Sequence, residues 1–178
     1  MMRRATVCIA LWLLATAALA GEVVRPDQVE GPFVWGGAKR VTHVGQLWFA
    51  DAPDPAALAE ARAAGVSVVV DLRDPSEARF DEKAAAEAAG LRYYNVPVTG
   101  SAFDPAAMKR IDALVQEHEQ EGVLVHCSSS NRAGGWFAVH LAEQGMSTDD
   151  ALAVGRRTGI TKAGIEKRVR DYLAREGK

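Results

Sequence analysis

The stretch V-L-V-H-C-S-S-S-N-R-A-G-G-W-F-A-V-H-L, residues 123–141, decides the fold. Its first three residues form a continuous apolar run, the composition of a strand covered on both faces. A six-residue loop from Cys127 to Arg132 follows, then an apolar helix from about Gly134 to near Gly145. A thiol at the end of a strand, below a helix N-terminus and closed by an arginine, is a site built to hold an oxyanion. Free N–H groups at a helix start and inward-pointing loop amides carry partial positive charge, and the guanidinium adds a planar fork of donors.

Working outward, strands and helices alternate. Asp54-Pro55 reads as a helix start, the carboxylate capping free N–H groups and the proline sitting where its missing N–H costs nothing. That helix runs to about Ala64 and stops at Gly65, and residues 66–72 follow as a buried strand. A polar loop, 73–79, leads to an alanine-rich helix over about 81–89, and 91–98 is the next strand, its Pro97 marking an edge or an end. Asp104-Pro105 repeats the capping device before a helix to about Glu119, whose Met108, Ile111, Leu114 and Val115 form a core stripe. Ser147 to Asp150 resembles a capping box for a helix to about Arg157, and an amphipathic helix spans about 161–176. Upstream, 39–50 reads as one or two short strands around Gly45, and 21–37 as an irregular arm packing Phe33 and Trp35. The pattern predicts an α/β domain with a largely parallel central sheet of about four to five strands flanked by helices. Residues 21–178 form this single domain, with its core over about 39–176.

Residues 1–20 read as an export signal: Met1-Met2-Arg3-Arg4 is basic, an apolar run follows, and Ala18-Leu19-Ala20 is a small-residue cleavage pattern. The mature chain is then expected in the periplasm or secreted, without a membrane span. Cys8 leaves with the signal, so Cys127 becomes a lone cysteine in an exported chain, either a reactive thiol or a buried structural one. The chain has 178 residues, 48% hydrophobic content and a formal charge of −2, with no basic run of the kind nucleic acid selects. Neither a metal site nor a cofactor is implied. His118 reads as a surface residue and His140 as core. Lys162, Lys167, Arg168 and Arg170, mixed with Glu166 and Asp171, read as a solvated helix face.

A nucleophilic role for Cys127 requires that its thiolate be stabilised. Arg132 and the helix start supply positive charge, and the imidazole of His126 could orient this region. Ser128, Ser129 and Ser130 are small enough for a tight curl, with hydroxyls suited to a bound anion, and Asn131 tolerates positive φ. Gly134 and Gly135 allow close approach of the helix start to the loop.

The chain resembles the cysteine-dependent phosphatases of the tyrosine and dual-specificity type, especially their bacterial branch with the phosphatase-like domain of β-lactamase-hydrolase-like proteins. The resemblance spans about residues 46–159. It is carried by Val68-Val69-Val70-Asp71-Leu72-Arg73 with Glu77, by Tyr94-Asn95-Val96-Pro97-Val98, and by His126-Cys127 with Arg132. It implies a phosphocysteine intermediate on Cys127, phosphoryl oxygens held by Arg132, and a phosphorylated small molecule or phosphoprotein side chain as partner.

Three departures stand out. The phosphatase signature has five residues between cysteine and arginine, whereas four, Ser128 to Asn131, stand here, a spacing shared with many rhodanese-type sulfurtransferases. Ala133 replaces the serine or threonine that helps the thiolate leave. The loop expected to hold an aspartate as general acid, 99–103, has none, leaving Asp104 as the candidate donor in competition with its role as a helix cap. Asp74 and Glu77 read instead as parts of a solvated or salt-bridged turn, with Arg73 or Arg79 as partner. Three functions fit the residues: a phosphatase, a sulfurtransferase with a Cys127 persulfide, and a non-catalytic oxyanion-binding module.

Overall fold

The computed structural model of the chain describes residues 24–177. The export signal read at residues 1–20, with Cys8 inside it, lies outside them. Six strands form one mixed sheet in the order β1-β2-β3-β6-β4-β5. They are β1 Glu30–Trp35, β2 Ala38–Val44, β3 Leu47–Ala50, β4 Val66–Asp71, β5 Arg92–Asn95 and β6 Gly122–His126. β6 lies between two parallel neighbours, so that Val125 faces Phe49 of β3 on one side and Val70 of β4 on the other. β5 extends the parallel part from β4, while β1, β2 and β3 run antiparallel.

Six helices flank the sheet: α1 Pro55–Ala63, α2 Glu82–Ala88, α3 Pro105–Glu117, α4 Asn131–Glu143, α5 Thr148–Thr158 and α6 Ala163–Arg175. Alternate residues of the central strands point to opposite faces. Val123 and Val125 join Val68 and Val70 in a core with residues of α3 to α6. Leu124, Val66 and Val69 join a second core with α1 and Ala86 of α2. All of β6 is buried, which is why it shows no polar alternation. Three helices start on the side chains expected to cap them: Asp54 accepts from the N–H of Ala57, Asp104 from Ala106 and Ser147 from Asp150; Asp81, read as the first residue of its helix, instead caps α2 by accepting from Ala84.

The structure corrects several local readings. The arm before Gly37 contains β1, which pairs with β2; it is exposed except at Trp35 and so lacks the apolar alternation that announces a strand. β5 ends at Asn95 as a formal strand, although Val96 and Val98 still donate to the carbonyls of Asp71 and Leu72. α4 starts at Asn131, three residues before the glycine pair, so the loop after β6 holds only residues 127–130. His118, read as a surface residue, is buried at the end of α3 beside Tyr94 and Glu121, and His140, read as core, is half-buried against Asp112.

Candidate oxyanion-binding site

Cys127 directly follows β6, its N–H donating to the Ala50 carbonyl at 3.4 Å, and its side chain is fully buried. The chain then turns through Ser130, whose φ of 62° is left-handed and uncommon for any residue but glycine. Ser130 is held there because its hydroxyl donates to the Thr158 carbonyl at 2.9 Å, at the end of α5. That bond has a second effect. Turned towards α5, Ser130 makes no side-chain cap on α4, so the first N–H groups of α4 have neither an intrahelical acceptor nor a capping oxygen. They remain available to an anion.

Asn131 is buried, and its side chain is fully engaged. Its Oδ1 accepts from the backbone N–H of Thr161 and Lys162 at 2.9 and 3.0 Å, and its Nδ2 donates to the carbonyl of Ser129 and to Thr161 Oγ1, both at 3.1 Å. The side chains of Ser130 and Asn131 thus build the loop, and what they leave for an oxyanion is backbone N–H. Ser128 and Ser129 line the opening.

Arg132, in the first turn of α4, is gripped end-on. Nη1 donates to Glu77 Oε1 at 2.8 Å and Nη2 to Oε2 at 2.6 Å, a bidentate pair, with further bonds from Nη1 to the carbonyls of Leu72 and Val98 at 3.3 Å. Ser128 Oγ donates to Glu77 Oε2 at 2.5 Å and accepts from Arg132 Nη2 at 3.1 Å, closing a triangle. The hydrogen bonds from Arg132 hold the Glu77 carboxyl at about 2, against the upward push of burial. Burial works against the Arg132 cation, but Glu77 and the neighbouring Cys127 outweigh it and raise its affinity for its proton. Glu77 therefore pairs with neither Arg73 nor Arg79 but with an arginine 55 residues away.

A cleft of about 420 Å³ opens above the loop, bounded by Glu77, Thr99, Ser128, Ser129 and Arg132. Its far wall comes from α6 and the turn before it: Lys162, Ile165 and Arg168. Lys162 is exposed and Arg168 half-buried, as a solvated face requires, and both also border the cleft. Nothing local signals this, since Glu166, four residues after Lys162, is taken by Arg156 at 2.7 Å. Asp104 does not line the cleft; it is exposed, with Oδ1 accepting from the Ala106 N–H at 3.2 Å.

The imidazole of His126 belongs to a different cluster. Its Nε2 lies 2.7 Å from Glu82 Oε1, at an angle outside hydrogen-bond geometry, and 3.8 Å from Asp71 Oδ1. Arg73 bridges the two carboxylates, with Nη2 2.8 Å from Asp71 Oδ2 and in contact with Glu82, and Tyr93 donates to Asp71 Oδ2 at 2.8 Å. Burial pushes the Asp71 carboxyl up, but Arg73 and His126 prevail and hold it below the ordinary range. Asp71, Glu82 and His126 bring three donors of metal-ligand type within 4.8 Å of one another, which the scattered sequence positions did not suggest. Arg73 already supplies a cation to both carboxylates, so the cluster fits a buried ionic lock better than a metal site.

No family model matches the chain. Over 102 residues it is 33% identical to the β-lactamase hydrolase-like protein of Xylella fastidiosa, a match covering 54% of this chain and 23% of that protein. The chain thus spans about a quarter of the length of the curated relatives it matches. Among solved structures, Tk-PTP in its active form aligns with a TM-score of 0.65 at 23% identity, covering 80% of this chain and 99% of that one. Pseudomonas aeruginosa TpbA aligns at 0.62 and 21% identity, over 74% and 83% of the two chains. Kinase associated phosphatase with its catalytic-site cysteine changed to serine aligns at 0.63 and 13%, over 74% and 87%. The chain has the phosphatase fold. A TpbA variant with serine in place of cysteine has been solved in complex with pTyr (TM-score 0.57, 21% identity, 75% and 80% covered). In this chain four residues separate Cys127 from Arg132 in the turn after β6, and Ala133 is buried.

Proposed function

We propose that the chain is a cysteine-dependent phosphatase acting on a phosphate monoester, with Cys127 as nucleophile and Arg132 as clamp on the phosphoryl oxygens. The observation that carries this reading is a thiol at the end of β6, below the uncapped start of α4 and beside an arginine fixed by Glu77. The likeness in fold to phosphatases supports it. The Cys127 thiolate attacks phosphorus; the S–P bond forms as the P–O bond to the leaving group breaks. Water then attacks phosphorus, the S–P bond breaks, and phosphate and the thiolate are released. The α4 amides and Arg132 face the charge that develops on the phosphoryl oxygens.

The leaving oxygen needs a proton, and the cleft offers no ready donor. Glu77 stays ionised down to about pH 2, and Asp104 caps α3 away from the cleft. Water then serves as the proton source, which favours weakly basic leaving groups, so aryl phosphates are turned over faster than alkyl phosphates. Phosphate release from p-nitrophenyl phosphate, lost in Cys127→Ser and reduced about 10²–10³-fold in kcat by Arg132→Ala, tests the assignment. A folded protein that releases no phosphate at any pH overturns it. A fall in kcat for Asp104→Asn, which retains a helix cap, would reinstate Asp104 as the donor.

A second reading draws on the four-residue spacing from Cys127 to Arg132. In a sulfurtransferase the thiolate would take the outer sulfur of thiosulfate, expel sulfite and pass the sulfur from its persulfide to cyanide. Thiocyanate formation dependent on Cys127 would select that reading, and saturable phosphate binding with neither reaction would select a binding module. Residues 1–20 support export to the periplasm or beyond, which fractionation of the expressed chain tests. Among the described residues no helix is long and apolar enough to cross a membrane.

A further inference from the structure

The cations of α5, α6 and the turn between them differ in their partners. Outside the cleft, three have acids, Arg156 with Glu166, Lys167 with Asp171 and Arg170 with Asp149, each at 2.7 Å, while Arg157 and Arg175 donate to the carbonyls of Val29 and Phe103. Lys162 and Arg168, which line the cleft, have no acid and no hydrogen-bond acceptor for their side chains among the described residues. The one carboxylate on the cleft wall, Glu77, is taken bidentately by Arg132. Once that pair is neutralised, the cleft carries two uncompensated positive charges in a chain whose formal charge is −2.

The backbone that carries them is joined to the cradle. The bonds from the Thr161 and Lys162 amides to Asn131 Oδ1 tie the start of α6 to the first turn of α4, so the backbone carrying the two cations is anchored to the cradle. The cradle already has Arg132 and the α4 amides for one phosphoryl group. Two further cations on the cleft wall, left unpaired, lack an anion of their own. Among the described residues no aromatic side chain lines the cleft, so nothing there stacks on a substrate ring.

We propose that the substrate is a small molecule bearing two phosphate groups, one seated in the cradle over Cys127 and the second held by Lys162 and Arg168. This deepens the phosphatase reading of the same site, but its binding part does not depend on turnover. The probes are α,ω-alkanediol bisphosphates of two to six carbons and the matching alkyl monophosphates, titrated calorimetrically into the Cys127→Ser protein. At one chain length the bisphosphate is expected to bind at least about tenfold more tightly than its monophosphate, as two unpaired cations on the cleft wall permit. In Lys162→Gln/Arg168→Gln that ratio falls to about one, whereas Lys167→Gln, on the outer face, keeps it. Both side chains lack intramolecular partners, so the double variant should fold, and its thermal melt checks this. A ratio near one in the parent at every length, or a ratio that survives the double variant, overturns the proposal. So does a dependence on Lys162 and Arg168 seen solely with an acidic phosphotyrosyl peptide, which would make the occupant a protein. Tight, cation-dependent bisphosphate binding without phosphate release from the unsubstituted enzyme would overturn the phosphatase reading and leave this one standing.

Discussion

Glu77 joins three parts of the cradle: it accepts both ends of the Arg132 fork, receives the hydroxyl of Ser128, and stands on the 3₁₀ turn Pro75–Glu77 that follows β4. Its carboxyl lies at about 2 in the folded chain and near 4.5 when unperturbed. A depressed carboxylate stabilises the fold above its unfolded value, and this contribution fades as pH falls, because the unfolded chain takes up a proton that the folded chain refuses. Between about pH 4.5 and 2 the wild-type unfolding free energy should therefore drop with a component that Glu77→Gln lacks. Urea unfolding of both proteins across that window checks it, and parallel curves would show that Arg132 does not hold the carboxylate as described. Because Gln cannot form the charged fork, the same variant should also lose activity on aryl phosphates without losing its fold.

α5 crosses α4 closely enough that glycine is required at the contact. A Cβ on Gly134 would lie 2.8 Å from the Gly155 carbonyl oxygen and 3.0 Å from the Ile160 nitrogen, both backbone atoms that cannot swing aside. The glycine pair serves neighbouring elements rather than its own loop: Gly134 admits α5, and Gly135 admits Phe103 and Ile165. Gly134→Ala should destabilise the domain by about 1–3 kcal/mol, measured by urea denaturation. The ionic lock of β4, α2 and β6 is more sensitive: Arg73→Met leaves the buried Asp71 and Glu82 carboxylates without their shared cation, at a cost of about 3–5 kcal/mol. These elements mark how far sequence reasoning reaches. Asp54-Pro55, Asp104-Pro105 and the apolar runs of β4 and β6 act through neighbours a few residues away, so their helices and strands can be read directly. The partner of Glu77, the ring direction of His126 and the cleft-facing side of α6 are set by elements brought together from distant positions. β1 escaped because its burial is confined to Trp35, and the start of α4 because a left-handed serine rather than a glycine makes the turn.

At the scale of the whole molecule, the cleft and the chain have opposite charge. A formal charge of −2 repels phosphorylated ligands weakly from most directions, while Lys162 and Arg168 attract them into one opening. Salt acts on these two influences over a screening length of about 30 Å at 0.01 M and about 10 Å at 0.1 M. A monophosphate seated in the cradle relies on hydrogen bonds made at contact, which salt screens little. A bisphosphate also draws on the two open cations, whose attraction acts through water and is screened strongly. The logarithm of kcat/KM should then fall more steeply with ionic strength for the bisphosphate than for the monophosphate, and in Lys162→Gln/Arg168→Gln the two slopes should converge. Equal slopes in the wild-type enzyme would mean that the cations of the α6 wall are neutralised before substrate arrives, and that specificity comes from the cradle alone.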